Sequence, residues 1–323
     1  MIVGQDRAVE QFATAWASRK LHHAWLLAGA RGVGKSTFAK VAARRVLADA
    51  AGPPSILPGI GTDDAHPMVK LVGAGSHPDM RWLQRLENEK TGNLNRNINV
   101  KQVRELGEFM GMTAALSPWR VAVIDTVDDL EASGANALLK MLEEPPANTL
   151  FFLVSHAPGR LLPTIRSRCR RLDFGNLDDD AMTSVLETQA PELRGAELDR
   201  VIAMSGGSAG RALAFAELGL AKLEDAALAI LRQGDPTNAR RSDLALELGK
   251  KGAAERYTAF LELAPSLIAR EARQMEGFRR ERALDAYGKA RELAAVAPRL
   301  SLDPAATVFQ IGGILAEVGK PLS

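Results

Sequence analysis

An α/β fold is what this sequence predicts. A parallel sheet covered by helices occupies residues 1–175, a small helical segment 176–216, and a larger all-helical segment 217–323. Three observations carry that reading. Short runs that are apolar at nearly every position, Ala24–Gly29, Trp119–Asp125 and Asn148–Ser155, alternate with segments of helical period, as strands buried on both faces do. The stretch GARGVGKST, Gly29–Thr37, joins the first apolar run to an amphipathic helix. After Phe174 the strand signals stop, and Ala, Leu and Glu recur at helical spacing.

The elements follow in order. Gln5–Arg19 reads as a helix, and Ala24–Gly29 as a buried strand by its length and its closing glycine. Lys35–Ala50 places Phe38, Val41, Ala42 and Val46 on one helical face. Residues 51–79, rich in Gly and Pro, are expected to form a long loop with one strand at Met68–Val72, and Pro78–Leu86 a further strand. The polar stretch Glu87–Asn97 reads as a surface excursion. Asn99–Met112 returns to helical spacing through Val103, Leu106 and Met110. Ser133 is expected to cap a helix with Leu138, Met141 and Leu142 on its apolar side, stopped by Pro145 and Pro146. Leu161–Cys169 reads as a short helix and Arg170–Phe174 as the last strand. Two or three short helices follow in 176–216, broken at Ser205–Gly210.

Composition bounds the function class. With 46% hydrophobic and 25% charged residues in 323, the chain can bury a sizeable core. A formal net charge of +2 does not by itself argue for autonomous DNA binding. The one cysteine, Cys169, leaves no disulfide framework and no four-thiolate zinc site, which fits a reducing cytoplasm. MIVGQDRAVE carries charge where a signal peptide has its apolar core, and no apolar run approaches the roughly 18 residues that span a bilayer. A cytoplasmic protein without membrane contact is expected.

The chemistry concentrates in a few stretches. Gly29, Gly34, Lys35 and Ser36 satisfy G-x-x-x-x-G-K-[ST], with Gly32 and Thr37 in the same loop. Glycines let backbone N–H groups turn toward phosphate oxygens, and the following helix adds its positive end. Lys35 would reach the terminal phosphates of ATP, and Ser36 would hold Mg²⁺ through its hydroxyl. Asp125 ends a buried strand, where a Mg²⁺-organising carboxylate belongs, or else it caps the turn. Thr126 follows it and cannot serve as a base. Asp128 and Asp129 are displaced by a turn, so triphosphate binding without useful turnover is expected. Arg166–Arg171 holds four arginines in six positions. Arg168 within it reads either as a surface ion pair or as a guanidinium lent to a phosphate on another chain. Cys169 reads as a small buried hydrophobe. Glu143 and Glu144 close a helix where negative charge opposes the dipole, which calls for solvent or a basic neighbour.

Together these stretches resemble the AAA+ clamp-loader family of bacterial DNA polymerase III. The motifs are VGQDRA (Val3–Ala8), HHAWLLAGARGVGKST (His22–Thr37), HPDM (His77–Met80), INVKQVREL (Ile98–Leu106), ANALLKMLEEPP (Ala135–Pro146) and RSRC (Arg166–Cys169). The resemblance covers roughly residues 1–215, and the remainder by layout. It implies an AAA+ P-loop domain, a helical lid and an all-α collar that joins five subunits in a ring. It implies that Val3, Gly4 and Gln5 border the adenine pocket, and that Arg168 is a finger presented to ATP on an adjacent gamma/tau motor subunit. The implied partners are that motor, a delta subunit, the sliding clamp and, through the assembly, primed DNA. Nothing here resembles a polymerase active site, so any polymerase activity belongs to the assembly. Motor subunits carry Asp-Glu where this chain has Asp125-Thr126, which favours a stator that does not hydrolyse. The intact Gly29–Ser36 loop leaves an active motor as the alternative. Residues 51–79 lack the cysteines of the family's zinc module, so no zinc is expected. Gly210 stands where motors offer a phosphate-sensing Arg, and Arg211 comes one place late, about 100° around the helix.

Overall fold

A computed structural model describes residues 2–87 and 94–319, so residues 88–93 of the expected surface excursion lie outside the described ones. The chain divides into two compact units, Met1–Gln189 with Ser205–Arg211, and Ala190–Met204 with Ala212–Ser323.

The first unit is a parallel sheet between helical layers. Its strands are β1 (Ala24–Gly29), β2 (Met80–Leu83), β3 (Arg120–Asp125), β4 (Thr149–Ser155) and β5 (Arg170–Phe174), in the order β2-β3-β4-β1-β5. Alternation along each strand divides the core. Trp25, Leu27, Val121, Val123, Phe152 and Val154 face α1 (Asp6–Ala17) and α2 (Lys35–Ala51), where Phe12, Phe38, Ala42 and Val46 meet them. Leu26, Ala122, Ile124, Phe151 and Leu153 face α4 (Val100–Gly111) and α5 (Ala132–Glu143) through Val103, Leu106, Leu138 and Leu142. Phe12 sits edge-on to both Trp25 and Phe38. Each such fully buried side chain contributes about 1.5–3 kcal/mol of transfer free energy.

Two local expectations are corrected. Met68–Val72 belongs not to a strand but to a helix, α3 (Pro67–Gly73). Pro67 pre-sets its first turn, the His66 imidazole accepts from the Met68 N–H at 3.3 Å, and Val69 and Val72, three apart, are the buried pair. The cap of α5 is Glu131 and not Ser133, which lies one residue inside the helix. At α4 the start is sharper than periodicity required. Asn99 and Gln102 form a reciprocal capping box. The HPDM stretch acts in the fold: the Asp79 carboxylate accepts N–H bonds from Ala115, Leu116 and Ser117 at 2.6–2.8 Å. Burial works against that charge, but the three donors hold its pKa below the ordinary value.

After α6 (Pro163–Arg166) and β5, helix α7 (Asp179–Gln189) completes the run of the first unit. Helices α8 (Ala196–Ser205) and α9 (Ala209–Glu217) are each shared between the units, with the turn Ser205–Arg211 counted in the first. The second unit holds α10 (Leu220–Gln233), α11 (Ala239–Leu248), α12 (Ala254–Ala272), α13 (Gly277–Val296) and α14 (Pro304–Val318). Leu223, Ile230, Phe260, Leu267, Ile268, Ile311 and Leu315 form its core. Glu224 is buried and meets Arg270 at 2.6 Å, and Glu271 meets Arg232 through two hydrogen bonds of 2.9 Å. No helix among the described residues is long and apolar enough to cross a membrane.

Candidate functional site

Parallel register brings the strand ends to a common edge. Ala28 lies opposite Ser155 and Asp125 opposite Val154, so the end of β4 stands between the glycine loop and Asp125. Ligands of open α/β sheets bind at such carboxyl edges.

The loop from Gly29 to Gly34 ends in left-handed backbone at Gly32 (φ 78°) and Gly34 (φ 98°). Those angles favour glycine. A Cβ at Gly34 would meet nothing within 4 Å, so conformation alone, not crowding, favours glycine there. α2 then begins, its first intrahelical bond running from the Phe38 N–H to Gly34 O at 2.8 Å. The N–H groups of Lys35, Ser36 and Thr37 have no intrahelical acceptor. Lys35 is buried, and its ammonium donates to the Gly29 and Ala30 carbonyls. Burial pulls its pKa down to about 8, against the opposing fields of Asp125 and Asp128. A buried ammonium beside three unused N–H groups and a hydroxyl on Ser36 is a donor set that fits a phosphate chain with Mg²⁺.

Sequence reasoning favoured Asp125 and set Asp128 and Asp129 aside as displaced by a turn. Asp128 lies in a 3-10 turn, Val127–Asp129, and turns back onto β4. Its carboxylate accepts from the Ser155 hydroxyl at 2.8 Å and from the His156 N–H at 2.5 Å. Burial first, then the Lys35 charge, lowers the His156 pKa, while Asp128 raises it. Lys35, Asp125, Asp128, Ser155 and His156 therefore form one cluster. Asp129 pairs instead with Arg85 at 3.2 Å. Thr126 is buried and adds no charge.

Of the expected adenine-side residues, Gln5 is tied to the loop. The buried Gln5 side chain donates to Val33 O at 3.1 Å and to Gly175 O at 2.8 Å, joining the loop to the end of β5. Gly4 packs on Leu177 and Ala181, and Val3 is half-buried. From the other side the turn before α9 meets the loop. Ser208 Oγ donates to Arg31 O at 2.9 Å, and the Gly210 N–H to Gly32 O at 2.9 Å. A Cβ on Gly210 would stand 2.9 Å from Gly32 Cα, so no side chain fits there without displacing the loop.

Arg168 lies at the other edge of the sheet. Arg170 pairs with Trp25 and Phe174 with Gly29, so Arg168, two residues before β5, sits near the strand starts. The length of β1, roughly 15–20 Å, separates it from the phosphate loop. Its guanidinium donates to Thr164 O at 3.0 Å and pairs with Glu143 at 2.8 Å. Of the two alternatives for the end of α5, solvent or a basic neighbour, Glu143 has both: it pairs with Arg168 and is half-exposed. The Cys169 thiol is pushed up to about 12 by burial, so it is inert as a nucleophile. A cavity of about 840 Å³ beside Trp16, Leu21 and Trp119 lies at the strand-start edge and holds none of the phosphate-loop residues.

Comparison with known proteins agrees with the sequence resemblance. Residues 4–178 match the family model described as "DNA polymerase III, delta subunit". The DNA polymerase III subunit delta' of Pseudomonas aeruginosa is 37% identical over 186 residues, 58% of this chain and 53% of that protein. The subunit delta' of Escherichia coli is 36% identical over 146 residues, 45% of this chain and 42% of that one. The subunit tau of Bacillus subtilis is 27% identical over 237 residues, 70% of this chain and 39% of that protein. The chain thus spans about half the length of the curated relatives it matches, or less. Among solved structures, a gamma subunit-related protein of Thermotoga maritima aligns over 97% of this chain and all of that one, with 17% identity and a TM-score of 0.48.

Proposed function

This chain belongs to the DNA polymerase III delta-subunit family, and on that premise we propose that it is a stator-like subunit of a clamp loader. It would act with a gamma/tau motor and a delta subunit to place a sliding clamp on primed DNA. Residues 1–175 would be its AAA+ domain, 176–216 the lid and 217–323 the collar that assembles the ring in the cytoplasm.

The observation that carries the reading is the separation of Arg168 from its own phosphate loop. A side chain of Arg's length does not cross a strand length of roughly 15–20 Å. A guanidinium at the strand-start edge is thus useful to a triphosphate on another chain, where it neutralises charge that develops during phosphoryl transfer. The chain's own loop would hold ATP, with Ser36 and Asp125 on Mg²⁺ and Val3, Gly4, Gln5, Gly29, Gly32, Gly34, Lys35 and Thr37 around the nucleotide. Bound there, Mg²⁺ neutralises phosphate charge. Hydrolysis would stay slow, because Thr126 carries no charge and Asp128 has both oxygens engaged at the end of β4.

The intact loop supports a second reading, an ATP-hydrolysing motor. The test is Arg168→Ala in the reconstituted complex. The stator reading expects hydrolysis at the one site it serves to fall on the order of 10³-fold, with the chain's own fold unchanged. Undiminished DNA-stimulated hydrolysis would remove the finger role.

A further inference from the structure

We infer that Glu143 is a positioning residue for Arg168, a splint that aims the guanidinium outward, and the inference rests on the finger reading above. A free Arg side chain carries a large rotamer entropy, so an unsupported finger samples many directions. Here two contacts hold one side of the group. Nη1 donates to Thr164 O at 3.0 Å, and Nη2 meets Glu143 Oε1 at 2.8 Å. A guanidinium has five N–H donors; one donates to Thr164 O and Nη2 is ion-paired with Glu143, so at least three N–H groups stay available for a phosphate.

The supports themselves are fixed. Thr164 lies inside α6, which is anchored by the buried Ile165. Glu143 is the last residue of α5. The end of that helix is held by the buried Leu142 and by the His23 ring, whose Nε2 lies 3.1 Å from Leu142 O. After the C-cap Glu144, Pro145 and Pro146 prevent a further turn. The helix end that carries Glu143 is therefore held near Arg168, 25 positions further along the chain.

Exposure fits a splint and not a lock. The Arg168 side chain is 34% exposed and that of Glu143 48%. A pair so solvated is weak, enough to bias direction and too little to keep the guanidinium from a triphosphate. An acid whose task was to sequester the arginine would be buried with it.

The experiment uses the reconstituted complex with its ATP-hydrolysing neighbour, measured for DNA-stimulated turnover with wild type, Glu143→Ala, Glu143→Gln, Arg168→Ala and the Glu143→Ala/Arg168→Ala pair. The expected result for Glu143→Ala is a kcat reduced about fivefold with KM for ATP unchanged. Glu143→Gln, which keeps an acceptor oxygen for Nη2, should recover at least half the wild-type rate. In the Arg168→Ala background, Glu143→Ala should change nothing further, an outcome that a merely structural glutamate would not give. Wild-type or raised turnover in Glu143→Ala, while Arg168→Ala is slow, overturns the splint and leaves the finger standing. Wild-type turnover in Arg168→Ala overturns both.

Discussion

Lys35 and Arg168 are two cations at opposite edges of one sheet, and the molecule holds them in contrasting ways. Lys35 is buried, its charge opposed by desolvation and bonded to two carbonyls of its own loop. Around it Gln5, Ser208 and Gly210 tie the loop backbone to β5 and to the turn before α9. Arg168 rests on one half-exposed carboxylate and one carbonyl. On the proposed reading, a cation that receives a ligand inside its own chain gains from a dry, preformed setting, where each charge-assisted bond is stronger. A cation lent to another chain would have to stay reachable, so its support would have to be weak. The two edges of the sheet, a strand apart, would let one domain supply both.

The largest effect that would sharpen this contrast is on nucleotide binding by the isolated chain. Lys35→Ala removes charged hydrogen bonds worth about 1.5–3 kcal/mol, so Mg-ATP affinity in calorimetry should fall roughly tenfold to a hundredfold. Arg168→Ala should leave that affinity alone. Equal binding by wild type and Lys35→Ala would break the contrast at the cradle.

Next is stability. Gly210→Ala places a methyl group 2.9 Å from Gly32 Cα, a backbone atom that cannot easily move aside. The expected cost is about 1–3 kcal/mol in urea unfolding. Glu143→Ala breaks a solvated pair and should cost at most about 1 kcal/mol. Similar losses from the two would mean that the cradle is no more tightly built than the arginine edge.

The smallest effect is with pH. The Lys35 ammonium, its pKa near 8, is lost as pH rises through 8, so affinity for triphosphate should weaken above that point and do so only in proteins that keep Lys35. Linkage gives the matching sign for the ligand-free fold. The unfolded chain binds the proton more tightly, so burial of this charge costs stability below pH 8, and the cost is relieved between 8 and the ordinary lysine value of 10.5. A Lys35→Met chain should therefore be the more stable at pH 7, with its lead shrinking toward pH 10.

How much of this was legible follows from what each feature depends on. The strands Ala24–Gly29 and Arg170–Phe174 were readable to the residue, because both are short runs closed by clear punctuation. The phosphate loop was readable because its backbone geometry demands glycines at fixed offsets. Helix α3 was missed because seven residues are too few to display a period, although Pro67 directly after His66 was a start signal. The Asp128–Ser155–His156 cluster was missed because it depends on β3 lying beside β4, which local pattern does not encode. That the end of α5 invites solvent or a cation near Glu143 was visible in its helix. That Arg168 meets it depends on β4 carrying the chain back across the sheet.

The central claim is that this chain can grip a triphosphate and lend a cation elsewhere without splitting its own ATP. The most direct measurement is steady-state ATP hydrolysis by the purified chain alone, beside Lys35→Ala and Asp125→Ala. The account expects a background rate that neither substitution changes. Several turnovers per minute, lost in both variants, would contradict it and make the chain a motor.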